Sequence, residues 1–129
     1  MRAIIVDDSR AMRTILRKLL VLRGFAEVAE AEHGRAALDR LEVGPPPELV
    51  LIDWNMPVMN GIELVCALRS DRRFDRTRLL MVTSESSPRH VYEALKAGVD
   101  EYAMKPITRE VIDDKLAIMG LDLPEPSLP

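Results

Sequence analysis

LVLIDWNMPVMNG, residues 49–61, places a carboxylate directly after a run of apolar residues. The run at 49–52 lacks polar alternation, which is typical of a strand buried on both faces of a parallel sheet. Asn60, with Glu63 three residues later, is typical of a capped helix start, and the helical spacing that follows favours this over an Asn-Gly hairpin turn. The stretch therefore predicts a central strand that ends by presenting Asp53, followed by a helix after Asn60.

Four other segments have the length and composition of strands. They are AIIV (3–6), AEVAE (26–30), LLMV (79–82) and EYAM (101–104). Helical spacing of apolar residues appears between them, and the first such stripe contains Met12, Ile15, Leu16, Leu19 and Leu20. Five strands alternating with five helices predict right-handed crossovers and a doubly wound α/β fold, with helices on both faces of a parallel sheet. The segment 3–6 is expected near the centre, and the alternating segment 26–30 at an edge.

The composition favours one small domain that binds no nucleic acid. The chain has 129 residues, and Lys+Arg 18 against Asp+Glu 21 gives a net charge of −3, which does not favour a polyanion as partner. We expect a single domain over residues 1–120 and a proline-rich tail over 121–129. No apolar run is long enough to span a membrane, and the first acids come too early for a signal peptide. A cytoplasmic monomer is expected, with the single cysteine, Cys66, packed as a small apolar residue.

Polar residues follow four of the predicted strands. They are Asp7, Asp8, Asp53, Thr83 and Lys105. Because functional crevices of open parallel sheets lie beyond the carboxyl ends of the strands, these side chains are expected to converge. Clustered carboxylates repel one another unless a cation neutralises them, and an all-oxygen set suits Mg²⁺ or Mn²⁺. The alternative is that the Asp-Asp pair only caps the first helix.

Asp53 beside a metal is either a further ligand or a nucleophile. A carboxylate can accept a phosphoryl group. Lys105 and the cation would offset charge on the phosphoryl oxygens, and Thr83 would donate a hydrogen bond to one of them. These neighbours favour phosphoryl transfer to Asp53.

The chain resembles the receiver domains of two-component response regulators over residues 1–119. The motifs that carry the resemblance are VDDS (6–9), DWNMPVMNG (53–61), VTSE (82–85) and EYAMKP (101–106). The resemblance implies a flavodoxin-like (βα)5 fold with strand order 2-1-3-4-5. It also implies a signalling switch, not an enzyme that turns over an external substrate.

The resemblance assigns a role to each strand-end residue. It implies that Asp53 is the phosphoacceptor and that Asp8 and Asp53 ligate Mg²⁺ directly. Asp7 would act through a metal-bound water, and Asn55 would offer its backbone carbonyl.

The resemblance assigns the remaining site residues to switching and to the lifetime of the phosphoryl group. Thr83 would be the switch hydroxyl, Lys105 the phosphate partner, and Tyr102 the aromatic that turns inward. The side chains of Asn55 and Glu85 would tune the phosphoryl lifetime. A cis bond is implied between Lys105 and Pro106.

The implied partners are a histidine kinase, most simply a chemotaxis kinase, and a target such as a flagellar motor switch. The implied output face is made by the fourth helix, fifth strand and fifth helix, and includes Val91, Leu95, Tyr102, Met104 and Lys115. Val91 and Leu95 could instead pack in the core, and for Leu95 core packing is the favoured expectation.

Several alternatives stay open. The chain could act as a phosphate sink, as the receiver part of a longer regulator, or as a docking module without phosphorylation. A hydrolase of the haloacid dehalogenase type also uses a strand-end Asp with Mg²⁺. It needs a second acid two residues later, where this chain has Asn55.

Overall fold

The computed structural model describes residues 1–121 as five parallel strands that alternate with five α-helices. The strands are β1 (Arg2–Val6), β2 (Glu27–Ala31), β3 (Leu49–Ile52), β4 (Arg78–Thr83) and β5 (Glu101–Met104). The helices are α1 (Arg10–Leu22), α2 (Gly34–Leu41), α3 (Gly61–Arg69), α4 (Pro88–Ala97) and α5 (Arg109–Ile118), with a short 3-10 turn at Arg72–Phe74. The strand order is β2-β1-β3-β4-β5, which confirms the doubly wound fold and its implied order. The predicted tail, apart from Leu121, lies outside the described residues.

The sheet is most buried at its centre. All four residues of β3 are buried, whereas β2 alternates between exposed and buried residues and forms one edge, as predicted. Val6 of β1 pairs with Ile52 of β3, and Ile52 pairs with Met81 of β4. The carboxyl ends of these three strands therefore lie side by side.

Helices cover both faces of the sheet. One core layer lies between the sheet and α1 with α5, and contains Ile5, Leu16, Leu20, Leu51, Ile112 and Leu116. The other lies between the sheet and α2, α3 and α4, and contains Val6, Ala37, Ile52, Leu64, Leu68 and Ala94. Both core layers are apolar, so polar side chains that could form a site are left at the ends of the strands.

Four of the helices begin at a side-chain cap, including the one predicted at Asn60. The side chains of Ser9, Asn60, Ser87 and Thr108 each accept a backbone N–H from three residues further along. Asn60 and Glu63 form a complete capping box. These caps fix where each chain segment turns away from the sheet edge and enters a helix.

Two predictions of burial were wrong. Leu95 is 49% exposed, because Ala94 is the residue of α4 that packs on the core. Cys66 is exposed on α3, between positions that face inward. In the apolar stripe of α1, Leu16 and Leu20 are buried, whereas Ile15 is 48% exposed.

Within residues 1–121, none of the helices combines the length and the apolar character that crossing a membrane requires.

Candidate functional site at the carboxyl edge of the sheet

Three aspartates meet where β1 and β3 end. Asp7, Asp8 and Asp53 each offer a carboxylate oxygen, and these oxygens all lie within 4.8 Å of one another. The backbone N–H of Asp53 donates to the carbonyl of Val6 at 2.9 Å, so the strand pairing itself brings the acids together. Asp7 and Asp53 are buried, and Asp8 is exposed. The predicted convergence of the three acids is therefore present.

Asp7 is held at several of its atoms. Its Oδ1 accepts the backbone N–H of Ser9 at 2.8 Å, and its Oδ2 accepts Nζ of Lys105 at 3.0 Å. Its own backbone N–H donates to the carbonyl of Ala31 in the neighbouring strand at 3.1 Å. The Asp7 carboxylate is thus fixed before any ligand arrives.

Lys105 follows β5 and reaches both buried acids. Its backbone N–H donates to the carbonyl of Thr83 at 2.9 Å, and its Nζ lies 3.4 Å from Oδ2 of Asp53. Burial alone would lower the pKa of the Lys105 ammonium, but the hydrogen bond to Asp7 and the carboxylate charges outweigh burial and raise it. The bond from Lys105 to Pro106 is cis, as the resemblance implied.

Asp53 is in an environment that disfavours its charge. Burial and the neighbouring charge of Asp7 raise the pKa of the Asp53 carboxyl, and Lys105 only partly offsets them. One ammonium therefore does not balance the three acids. The donors are all carboxylate oxygens, which is the chemistry that Mg²⁺ accepts, so these residues fit a divalent cation.

Gly61 allows the chain to pass close behind Asp53. A Cβ on Gly61 would lie 2.3 Å from the backbone oxygen of Asp53 and 2.9 Å from Cα of Trp54. The N–H of Gly61 donates to the carbonyl of Trp54 at 2.9 Å. No sequence pattern marks this role of Gly61, because the contact exists only in the folded loop.

The loop after β4 forms a second side of the site. Thr83 is fully buried, and its Oγ1 accepts the backbone N–H of Glu85 at 3.3 Å. Asn55 donates its side-chain amide to Oε1 of Glu85 at 3.0 Å, and the hydroxyl of Tyr102 donates to the Glu85 carbonyl. Burial, and then the charge of Glu85, raise the pKa of the Tyr102 hydroxyl. Thr83, Asn55 and Tyr102 are therefore all hydrogen-bonded to Glu85. Lys105, the remaining residue predicted to act in switching, contacts the acid cluster.

Comparison with known proteins decides the family. The family model described as the response regulator receiver domain matches residues 3–117. The chain belongs to the response regulator receiver family.

Relatives of this receiver domain include chemotaxis proteins. It is 42% identical to Helicobacter pylori chemotaxis protein CheY1 over 119 residues, which is 92% of this chain and 96% of the relative. It is 44% identical to the Pseudomonas aeruginosa chemotaxis protein CheY over 116 residues, covering 90% of this chain and 93% of the relative. The solved structure of the Vibrio cholerae chemotaxis response regulator CheY4 has a TM-score of 0.84 at 32% identity, covering 92% of this chain and 97% of that chain.

Membership settles the general class of the protein. Receiver domains are signalling switches that bind Mg²⁺ at an acidic pocket, and this receiver domain has a cluster of three aspartates. The predicted membership of the receiver family and the predicted fold are confirmed. The predicted role of each site residue stays a prediction.

His90 is a receiver-site neighbour that sequence reasoning missed. Its Nε2 lies 3.6 Å from Oε2 of Glu85, and its ring meets the Trp54 ring edge-on, with centroids 4.8 Å apart. In the sequence His90 lies far from His33, the other histidine, and the two have no metal-ligand spacing that would mark a site. Its position three residues after the Ser87 cap, in the first turn after a functional strand end, is the signal that could have found it.

Arg13 is the other missed neighbour. Its Nη1 donates to the backbone carbonyl of Asp7 at 2.7 Å. No short motif marks this contact, because it joins a helix side chain to a strand-end backbone atom.

Proposed function

We propose that this receiver domain is a chemotaxis response regulator that accepts a phosphoryl group on Asp53 in the presence of Mg²⁺. The observation that carries the proposal is the placement of Asp53: it is 7% exposed, and it lies in one cluster with Asp7, Asp8 and Lys105. The family of the chain and the chemotaxis names of its relatives support the proposal.

The transfer itself requires little covalent chemistry from the protein. A carboxylate oxygen of Asp53 forms a bond to phosphorus, and the bond from phosphorus to the donor breaks, with the bonding pair leaving on the donor. The donor is a phosphohistidine of a histidine kinase or a small acyl phosphate. Lys105 offsets negative charge on the phosphoryl oxygens, and Thr83 donates its hydroxyl to one of them.

A divalent cation would be held by the carboxylates of Asp8 and Asp53, the backbone carbonyl of Asn55, and Asp7 through water. Bound Mg²⁺ supplies positive charge for the phosphoryl oxygens, and Mn²⁺ suits the same oxygen donors. The raised pKa of Asp53 supports this assignment, because the acid cluster is short of positive charge.

Phosphorylation would be transmitted through the loop after β4. Thr83 would leave its contact with the Glu85 N–H to bind the phosphoryl group, and the hydrogen bond from Tyr102 to Glu85 would then break or shift. Tyr102 lies in β5, next to α4 and α5, so the change reaches the α4-β5-α5 face. That face exposes Tyr92, Leu95 and Met104, a set suited to an apolar partner such as a flagellar motor switch protein.

The side chains of Asn55 and Glu85 would set the phosphoryl lifetime from their hydrogen-bonded positions beside the site. We infer that the protein works as a cytoplasmic monomer whose only chemistry is its own phosphorylation and dephosphorylation.

The fluorescence of Trp54, the single tryptophan, tests the proposal. Mg²⁺ with beryllofluoride, a phosphoryl mimic, should change the emission of the wild-type protein and leave Asp53→Asn unchanged. A beryllofluoride-dependent pull-down of a kinase or motor protein would then identify the partner. An identical beryllofluoride response in Asp53→Asn would overturn the proposal.

A further inference from the structure

An ion triad joins α1 to the edge strand β2 behind the acid cluster. Glu30 of β2 accepts Nε of Arg13 on Oε1 at 3.0 Å and Nε of Arg17 on Oε2 at 2.7 Å. Arg17 also donates to the backbone carbonyl of Val28. The hydrogen bond from Arg17 lowers the pKa of Glu30 against the opposing effect of burial, and the bond from Arg13 adds to the lowering. The carboxylate between the two guanidinium groups is therefore anionic at neutral pH.

Arg13 links this triad to the acid cluster. While Nε binds Glu30, Nη1 of the same guanidinium donates to the backbone carbonyl of Asp7 at 2.7 Å. The side chain of Arg13 is 15% exposed. A guanidinium is planar, so fixing one of its edges on Glu30 also fixes the direction of the N–H groups on Asp7.

The Asp7 carbonyl is the peptide oxygen between the two acids that follow β1. This oxygen belongs to the peptide unit that joins Asp7 to Asp8. The orientation of that unit therefore sets the position from which the side chain of Asp8 extends. The side chain and the N–H of Asp7 are already held by Ser9, Lys105 and Ala31. Arg13 holds the remaining polar atom of Asp7.

We propose that the triad of Arg13, Glu30 and Arg17 is a positioning device for the metal site. Glu30 orients Arg13, and Arg13 fixes the Asp7–Asp8 peptide so that both carboxylates face Asp53 at the geometry a divalent cation needs. Arg13 and Glu30 are positioning residues and do not touch the metal. The inference rests on the proposed function, since it concerns the same acid cluster.

The structure distinguishes this role from that of an ordinary surface ion pair. Arg2 and Glu27 pair at 2.8 Å at the other end of β1 and β2, and that carboxylate is 68% exposed and remote from the acids. Partners that orient metal ligands are worth roughly 10-fold to 100-fold in metal affinity when removed. Exposed pairs contribute little.

The test is the affinity of the purified protein for Mg²⁺ itself, followed by Trp54 emission. Glu30→Gln keeps the size of the side chain but cannot accept both arginines, and Arg13→Lys keeps the charge but loses the planar link. Glu32→Gln is the matched control, because it makes the same charge change at an exposed position two residues away. Glu27→Gln controls for loss of an ion pair on the same strand.

We expect the Kd for Mg²⁺ to rise roughly three-fold to ten-fold in Glu30→Gln and roughly ten-fold in Arg13→Lys. Glu32→Gln and Glu27→Gln should stay near wild type. With acetyl phosphate as donor, the Mg²⁺ concentration for half-maximal phosphorylation should rise in the same ratio, while the rate at saturating Mg²⁺ stays near wild type. A merely structural role would not separate these two quantities.

Two results would overturn the inference. One is an unchanged Kd for Mg²⁺ in both triad variants. The other is an equal change of this Kd in Glu32→Gln and Glu30→Gln, which would assign the effect to charge alone. If Glu30→Gln does not fold, Arg13→Lys decides. Failure of the proposed function is recognised separately, because Asp53→Asn would then be phosphorylated like wild type whatever the Mg²⁺ affinities of the triad variants.

Discussion

Lys105 lies 3.0 Å from Asp7 through Nζ and Oδ2, although 98 positions separate them in the chain. This contact joins the end of the first strand to the end of the last across the sheet edge. Among the ion pairs of residues 1–121, those of the Lys105 ammonium are the ones that involve the buried acids Asp7 and Asp53. On the proposed function this ammonium would therefore compete with a divalent cation for the same carboxylates.

Lys105→Met should bind Mg²⁺ more tightly than wild type, by roughly three-fold or more, because the acid cluster loses its internal counter-charge. The same variant should be less stable than wild type without Mg²⁺. Titration by calorimetry measures the affinity, and thermal unfolding in a chelator measures the stability. Lys115→Met is the control. Lys115 lies on α5, and this substitution also removes a lysine ion pair, here with Glu101 of β5. Weaker Mg²⁺ binding in Lys105→Met would show that Lys105 assists the cation and does not compete with it.

Asp53→Asn should stabilise the domain when divalent cations are absent. The pKa of Asp53 is raised, so the folded protein binds its proton more tightly than the unfolded chain does. The unfolding free energy therefore falls as pH rises from the ordinary carboxyl value of 3.8, and the penalty is complete only above the raised value. We expect Tm to increase by about 2–5 °C at pH 7.

Asp39→Asn is the control for this stability measurement, because Asp39 is an exposed acid of α2 paired with Arg35, and exposed pairs contribute little. Saturating Mg²⁺ should reduce or reverse the advantage of Asp53→Asn, since the wild type gains binding free energy. An Asp53→Asn protein that melts below wild type in a chelator would contradict the electrostatic account of the site.

Gly61→Ala should damage both stability and metal binding. The added Cβ meets backbone atoms of Asp53 and Trp54 that have no flexible side chain to yield, so the loop must move. We expect the unfolding free energy in urea to fall by about 2–3 kcal/mol, with weaker Mg²⁺ binding. Gly34→Ala is the matched control at the start of α2, where the added Cβ meets the flexible side chain of Met59. Equal effects of the two substitutions would refute the close approach at Asp53.

The phenol of Tyr102 should ionise above its ordinary value of 10.0. Tyrosinate absorbance of a Tyr92→Phe protein isolates it, because the chain has two tyrosines. Glu85→Gln should lower the midpoint by removing one cause of the shift. Because the folded state keeps this proton longer than the unfolded state does, stability should fall as pH rises from 10.0 to the raised value. A midpoint at or below 10.0 would mean that Tyr102 is not held beside Glu85 in solution.

The sequence predicted the elements and the acid cluster because both depend on local patterns. The run at 49–52 and the caps at Ser9 and Asn60 mark element boundaries, and the carboxyl ends of parallel strands must share one edge. The residue patterns alone placed the segments 3–6 and 49–52 near the centre and 26–30 at an edge, whereas the complete strand order came from the family resemblance.

Burial at the margins of helices was less predictable. The apolar spacing of α1 includes Ile15, yet only Leu16 and Leu20 are fully inside. An apolar residue at helical spacing can either enter the core or extend an exposed apolar face, and Leu95 does the latter. Which of the two happens depends on how much of the helix the neighbouring elements cover, and this is a property of the tertiary structure.

The contacts around the acids were the least predictable. Arg13 reaches a backbone carbonyl, Glu30 reaches two arginines from another element, and Gly61 matters only because the chain returns behind Asp53. Such contacts depend on how α1 and α3 lie on the sheet. Periodicity and motif spacing contain no information on them.

The central claim is that Asp53 accepts the phosphoryl group with help from a divalent cation. Intact-protein mass spectrometry after incubation with acetyl phosphate and Mg²⁺, with the modified residue located in fragments after borohydride reduction, tests it directly. We expect the wild type to gain a single phosphoryl group, located at Asp53, and Asp53→Asn or a chelator-treated sample to gain none. Modification at another residue, or full modification of Asp53→Asn, would contradict it.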